Sequence, residues 1–217
     1  SGCGKSTLGR TILRLAPLHS GSIHFMGDDI GKLDDAGLKP YRAKMQMVFQ
    51  DPYASLNPKM TVGSTLAEVL RFHRICPPRD VPTRVAELME MVGLSRELCA
   101  RKPSELSGGQ CQRVGVARAL AVNPDLLVAD ESVSALDVSI QAQIINLLVD
   151  LQNELGLSYI IISHDLAVVA GLADRVAVMY AGQIIEQSDV ETLFEQPLHP
   201  YTVGLIASVP VLGEIKD

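Results

Sequence analysis

The chain has 217 residues, 47% of them apolar, and its 19 Lys and Arg against 25 Asp and Glu leave a formal charge of −6. That apolar share supplies a sizeable core and excludes global disorder, while the acidic balance disfavours a non-specific nucleic-acid binder, which carries a basic face. Aromatics make up only 4% and Trp is absent, so base-stacking platforms are not expected either.

In chain order, "SGCGKST" (residues 1–7) is a glycine-rich turn that runs into a helical pattern, with Leu8, Ile12 and Leu15 on one face and Pro17 as the stop. "GSIHFMGDDI" alternates Ile23 and Phe25 before Gly27 and Asp28, which predicts a short strand and a turn. "KMQMVFQDP" predicts a strand ending at Gln50 and broken by Pro52. From Asp51 to about Glu105 strand signals vanish. There "TRVAELMEMVG" sets Val85, Leu88, Met89 and Val92 on one helical face, with Gly93 just past its end. "DLLVADE" and "SYIIISHD" are short continuous apolar runs, as in parallel strands buried on both faces. Between them Ile144, Leu147, Leu148, Leu151 and Leu155 recur at helical spacing, the pattern of a crossover helix. "RVAVMYAGQIIEQ" reads as a hairpin, and Ser188 with Glu191 has the spacing of a capping box for a following helix.

The four cysteines form no C-x-x-C pair and have no His partners at zinc spacing, so they read as reduced thiols. The longest apolar runs, near Ile160 and Val176, fall far short of the roughly 20 residues of a membrane span. A soluble chain is expected, with any membrane role held through a partner.

Three stretches carry chemistry. Gly4, Lys5 and Ser6 match the end of the phosphate-loop pattern G-x-x-x-x-G-K-[ST], whose first Gly would fall two residues before Ser1. Such a loop presents successive N–H groups and a helix N-terminus to phosphate, Lys5 reaching the β- and γ-phosphates and Ser6 the Mg²⁺. "LLVADE" delivers Asp130 and Glu131 at the carboxyl end of a strand, where open α/β sheets bind ligands. Asp130 suits a Mg²⁺ shell and Glu131 the polarisation of an attacking water. "LSGGQ" places Ser107 and Gln110 at capping-box spacing, with Gly108 and Gly109 baring a second anion-binding helix end. Taken singly, each has a plainer reading: a glycine-rich terminus, a solvated acidic pair and an ordinary helix cap.

Their order resembles the ATPase subunit of ATP-binding cassette (ABC) transporters. The resemblance implies an α/β P-loop NTPase with a mostly parallel sheet core and a helical insertion. Residues 1–50 and 106–195 would form the RecA-like core, 51–105 a helical subdomain with the Q-loop at its start, and 196–217 a C-terminal segment. It assigns Gly2, Cys3, Gly4, Lys5, Ser6 and Thr7 to the phosphates of ATP. Gln50 becomes the Q-loop glutamine that senses Mg²⁺ and the γ-phosphate. Ser107, Gly108, Gly109 and Gln110 become the signature that acts on the opposing subunit's ATP in a head-to-tail dimer. Asp130 and Ser6 fall in the metal shell, Glu131 is the general base, Asp137 belongs to the loop crossing the dimer interface, and His164 is the switch histidine. Departures are Ser132 and Val133, where the family has Pro-Thr, and Cys111, where a polar or basic residue is common.

"QDPYASLNPKMTVG" and "QPLHPYTVGLIASVP" are similar to the Q-loop region and C-terminal segment of oligopeptide, dipeptide and nickel importers. This branch implies a second ATPase subunit, identical or different, integral membrane permeases and, indirectly, a solute-binding protein. It implies a peripheral place on the cytoplasmic side of the inner membrane and no nucleic-acid partner. Two other readings stay open: a soluble non-transport ABC ATPase, and a non-catalytic partner, for which Ser132-Val133 is the support. The resemblance also places a strand and an adenine-stacking aromatic ahead of the loop. The 217 residues are therefore expected to be a fragment that binds ATP poorly by itself.

Overall fold

The computed structural model describes residues 2–132 and 137–208. The chain divides into two compact units, Ser6–Ile162 and the combination of Ser1–Lys5 with Ser163–Asp217.

The larger unit takes in all but the first residue of α1 (Lys5–Ile12), a small hairpin of β1 (His24–Phe25) and β2 (Asp28–Asp29), and α2 (Asp35–Lys44), which runs straight into β3 (Met45–Val48). Met26 and Gly27 join the hairpin with φ of 53° and 91°, the pair of positive values a two-residue type I′ turn demands. The helical stretch follows as α3 (Val62–Phe72) and α4 (Val81–Met91), then α5 (Gly108–Leu120) leads to β4 (Leu126–Asp130), and α6 (Val138–Leu155) crosses to β5 (Ser158–Ile162). On α4 the expected face is buried, and Gly93 (φ 65°) stands just beyond the cap residue Val92.

Strands β3, β4 and β5 form a parallel sheet in that order, with Val48 beside Ala129 and Asp130 beside Ile162. Every residue of central β4 is buried, because helices cover both faces of such a sheet. Leu126 and Val128 join Leu13, Ile30, Leu38, Met45, Met47 and Ile162 in one apolar cluster. Strand β5 departs from the reading of its apolar run: only Ile162 is buried and Ser158 is exposed, since among the described strands it has a neighbour on one side alone.

The first helix also differs from its sequence pattern. It ends at Ile12 rather than near Pro17, Leu8 and Leu15 are 42% and 53% exposed, and Gly9 and Leu13 form the buried line instead. A Cβ on Gly9 would lie 2.7 Å from Ile162 Cδ1 and 3.3 Å from Val128 Cγ1. Close approach of backbone to sheet, not a stripe of large side chains, is what seats α1.

In the smaller unit, α7 (Leu166–Leu172) precedes an antiparallel hairpin of β6 (Arg175–Tyr180) and β7 (Gln183–Asp189), then α8 (Val190–Glu195) and α9 (Pro200–Ala207). The expected Ser188–Glu191 capping box does not form. Strand β7 continues to Asp189, which takes the N-cap position, and Ser188 Oγ donates to the Asp189 carbonyl at 3.1 Å. The "LHPYT" stretch is clamped to β7: Glu186 accepts the N–H groups of Leu198 and His199 at 2.7 and 3.0 Å. The Leu198 bond leads the interactions that hold the Glu186 carboxyl below its ordinary range. His199 Nδ1 accepts the Tyr201 N–H at 3.0 Å to cap α9. The Tyr180 and Tyr201 rings lie 4.6 Å apart.

Candidate functional site

Two hydrogen-bonded pairs meet where β3 and β4 end. Asp130, the last residue of β4, is 3% exposed, and its Oδ1 accepts a hydrogen bond from Ser6 Oγ at 2.8 Å. Ser6 stands one turn before Gly9 on α1, so the close seating of that helix brings the hydroxyl to the carboxylate. Glu131 follows with φ of 45°, a left-handed conformation that costs a non-glycine residue about 1–3 kcal/mol and is concentrated at functional sites. Its N–H donates to the Ile162 carbonyl at 2.9 Å, which extends the β4–β5 ladder and holds the turn. Its Oε2 accepts from Gln50 Nε2 at 2.8 Å, Gln50 lying just past β3. Beside these pairs opens a cavity of about 460 Å³ whose lining includes Ser6, Gln50 and Asp130 with Arg10, Phe49 and Arg118.

The "LSGGQ" residues build a reciprocal cap on α5. Ser107 Oγ accepts the Gln110 N–H at 3.2 Å, and Gln110 Oε1 accepts the Ser107 N–H at 2.9 Å. Gly109 is buried, and a Cβ there would stand 2.5 Å from Ile140 Cγ2 of α6. The second glycine of the motif therefore has a packing reason of its own. Cys111 is fully buried, donates from Sγ to the Pro103 carbonyl at 3.5 Å, and has its thiol pushed by burial up to about 11. An interior packing position explains why no charge stands there.

Asp137 is exposed at the N-cap of α6 and makes no side-chain cap, its carbonyl accepting the Gln141 N–H at 2.8 Å. Ser132 is buried, whereas Val133 and the rest of "SAL" before Asp137 lie outside the described residues. Thr7 is exposed on α1. In the smaller unit Gly2 and Gly4 have φ of 87° and 96°, a backbone that glycine alone adopts easily. Lys5 Nζ there donates to Cys3 Sγ at 3.5 Å. His164 is exposed in the turn before α7, between Ser163 and the N-cap Asp165. Ser6, Gln50, Asp130 and Glu131 are thus brought together in one unit. Gly2, Cys3, Gly4, Lys5 and His164 belong to the other.

Two residues near the site are given no role by the sequence. Tyr53 donates its hydroxyl to the Leu106 carbonyl at 3.1 Å, and Arg118 donates Nη1 to the Ser55 carbonyl. Burial lowers the pKa of the Arg118 guanidinium.

Hydroxyl and carboxylate oxygens are hard donors suited to Mg²⁺, which one or two protein oxygens hold together with substrate phosphates. The Ser6–Asp130 pair fits that requirement. Among the described residues no group of three or more His, Cys, Asp or Glu is arranged to hold a metal by itself.

Comparison with known proteins assigns the chain to a family. The ABC transporter profile matches residues 1–134. The chain belongs to the ABC transporter family. The profile of the oligopeptide/dipeptide transporter C-terminal region also matches this ABC chain, over residues 185–217. The oligopeptide transport ATP-binding protein OppF of Bacillus subtilis is 50% identical over 213 residues, 97% of this chain and 70% of its own length. The glutathione import ATP-binding protein GsiA of Pectobacterium atrosepticum is 53% identical over 211 residues, again 97% of this chain. The chain spans only 34% of the latter protein. Among solved structures, the dimeric ATP-binding cassette MJ0796 bound to ADP and Pi superposes with a TM-score of 0.77 at 30% identity, over 87% of this chain and 82% of that one. The cbiO1 subunit of the Clostridium perfringens cbiONQ transporter gives 0.80 at 31% identity, over 90% and 76%. The fold is that of an ABC ATPase cassette. No helix of the described residues is long and apolar enough to cross a membrane.

Proposed function

We propose that the complete protein binds and hydrolyses ATP to drive an importer of dipeptides or oligopeptides. The observation that carries this reading is the pair of contacts at the strand ends, Ser6 with Asp130 and Gln50 with Glu131. Glu131 is the general base that takes a proton from the attacking water, and the Gln50 amide orients its carboxylate. Ser6 and Asp130 would hold Mg²⁺, whose chemistry is to offset charge on the β- and γ-phosphate oxygens. By the motif resemblance, Gly2 to Thr7 cradle the phosphates, Lys5 supplies a cation to them and His164 contacts the γ-phosphate.

The chain acts as one half of a dimer, homo- or heteromeric, in which Ser107 to Gln110 serve the partner's nucleotide and Asp137 lies near the interface. Residues 1–50 and 106–195 form the ATPase core, 51–105 the helical subdomain and 196–217 the segment of the peptide-importer branch. The cassette sits on the cytoplasmic side of the inner membrane against permease subunits that a solute-binding protein loads. The names of OppF and GsiA and the C-terminal profile support peptides as cargo.

In proteoliposomes with its permeases and solute-binding protein, the complete protein should hydrolyse ATP faster when dipeptides or oligopeptides are added. A rate that no peptide changes but another solute class stimulates would reassign the cargo.

A further inference from the structure

The segment after Gln50 is fastened at two points, to the carbonyl of Leu106 just ahead of the α5 cap and to Arg118 of α5. Asp51 organises it: Oδ1 accepts the N–H groups of Tyr53 and Ala54 at 2.9 and 3.0 Å, and the Asp51 carbonyl accepts that of Ser55 at 3.2 Å. Pro52 and Leu56 are buried, which keys the turn into the unit beneath. Tyr53 OH reaches the carbonyl of Leu106, the residue immediately before the Ser107 cap. At the other end of α5, Arg118 grips the Ser55 carbonyl. One turn earlier on that helix, a Cβ on Gly115 would stand 3.9 Å from Ser55 Oγ, so this face has room for the turn to lie against it. Gln50, directly before the turn, holds Glu131.

We infer that residues 51–56 form a strut that registers Gln50 against Glu131 from the position of α5, with Tyr53 and Arg118 as its two positioning residues. Both act through the Asp51-centred turn and Gln50. With one anchor just ahead of α5 and the other on it, the turn follows any shift of α5 as a rigid piece. With either anchor lost, it pivots about the other and the Gln50 amide drifts from the carboxylate. This inference rests on the ATPase reading and deepens it.

The test is steady-state ATP hydrolysis by the complete protein. Tyr53→Phe keeps the ring and deletes one hydroxyl, so kcat should fall about fivefold, the worth of one lost hydrogen bond. The KM for ATP and the melting temperature should stay at wild-type values. Arg118→Lys, which keeps the charge and loses the planar fork, should lower kcat in the same way. The decisive arm is a double-mutant cycle. In a Gln50→Ala background, which retains Glu131 and with it measurable turnover, Tyr53→Phe should have no further effect. An equal fall in kcat with and without Gln50 overturns the strut, as does an unchanged kcat in both single variants. A lower melting temperature with normal kcat would assign Tyr53 and Arg118 to folding alone and also overturn it. Glu131→Gln in the same assay separates the two claims. If it leaves turnover intact the ATPase reading fails, whereas if it stops turnover and the strut variants do nothing, only the strut fails.

Discussion

Glu131→Gln in the complete protein lowers ATP turnover by roughly 10²–10⁴-fold, the contribution of a positioned general base. The substitution preserves the side-chain bond to Gln50 and the backbone bond to Ile162. A glutamine side-chain carbonyl still accepts the Gln50 amide that now bonds Oε2 at 2.8 Å. The backbone N–H still donates to Ile162, and the left-handed φ of 45° is as strained for Gln as for Glu. Stability therefore remains close to the wild-type level while hydrolysis falls. Glu131→Gly gives the complementary result. It relieves the left-handed strain but gives up the Gln50 hydrogen bond and adds unfolded-state entropy, so stability stays within about 1 kcal/mol of wild type, yet it is equally inactive. Turnover assays beside denaturant titrations check both variants. Loss of stability in step with activity for Glu131→Gln would make the residue part of the scaffold instead.

Gly109→Ala destabilises the fold through one contact. The new Cβ would lie 2.5 Å from Ile140 Cγ2, an atom of a β-branched side chain with little rotamer freedom. Overpacking of this kind costs about 1–3 kcal/mol, against which a better helix residue returns only about 1 kcal/mol. Ile140→Ala removes Cγ2 and restores stability in the double variant. Ile140→Val keeps both γ-carbons and does not. Chemical denaturation of the four proteins decides the matter. Wild-type stability in Gly109→Ala together with lost turnover would show that the glycine serves a ligand and not helix packing.

Much of this arrangement is legible in the residues. The apolar run into Asp130 and Glu131 predicts a buried strand with two carboxylates at its end, and the strand is there. Ser107 and Gln110 have the spacing of a reciprocal cap and form one. These features depend on neighbours close in sequence, which is why spacing reveals them. The burial of α1 is different: Gly9 matters through what it lacks, and a helix seated by close backbone approach leaves no apolar stripe. Helix α2 has no place in the sequence reading because Pro40 sits inside it and its stretch is mostly polar. Tyr53 and Arg118 bond to carbonyl oxygens 53 and 63 residues away along the chain, and such contacts leave no periodic trace. The boundary between the two compact units, at Lys5/Ser6 and Ile162/Ser163, likewise coincides with no change in composition.

The central claim is that this chain holds Mg–ATP through Ser6 and Asp130 ahead of a hydrolytic Glu131. Calorimetric titration of ATP into the complete protein carrying Glu131→Gln, which prevents turnover, tests it most directly. The account predicts ATP binding that weakens when Mg²⁺ is chelated, and an Asp130→Asn variant whose affinity no longer responds to the metal. ATP affinity indifferent to Mg²⁺, or still responsive to it after Asp130→Asn, would contradict the account.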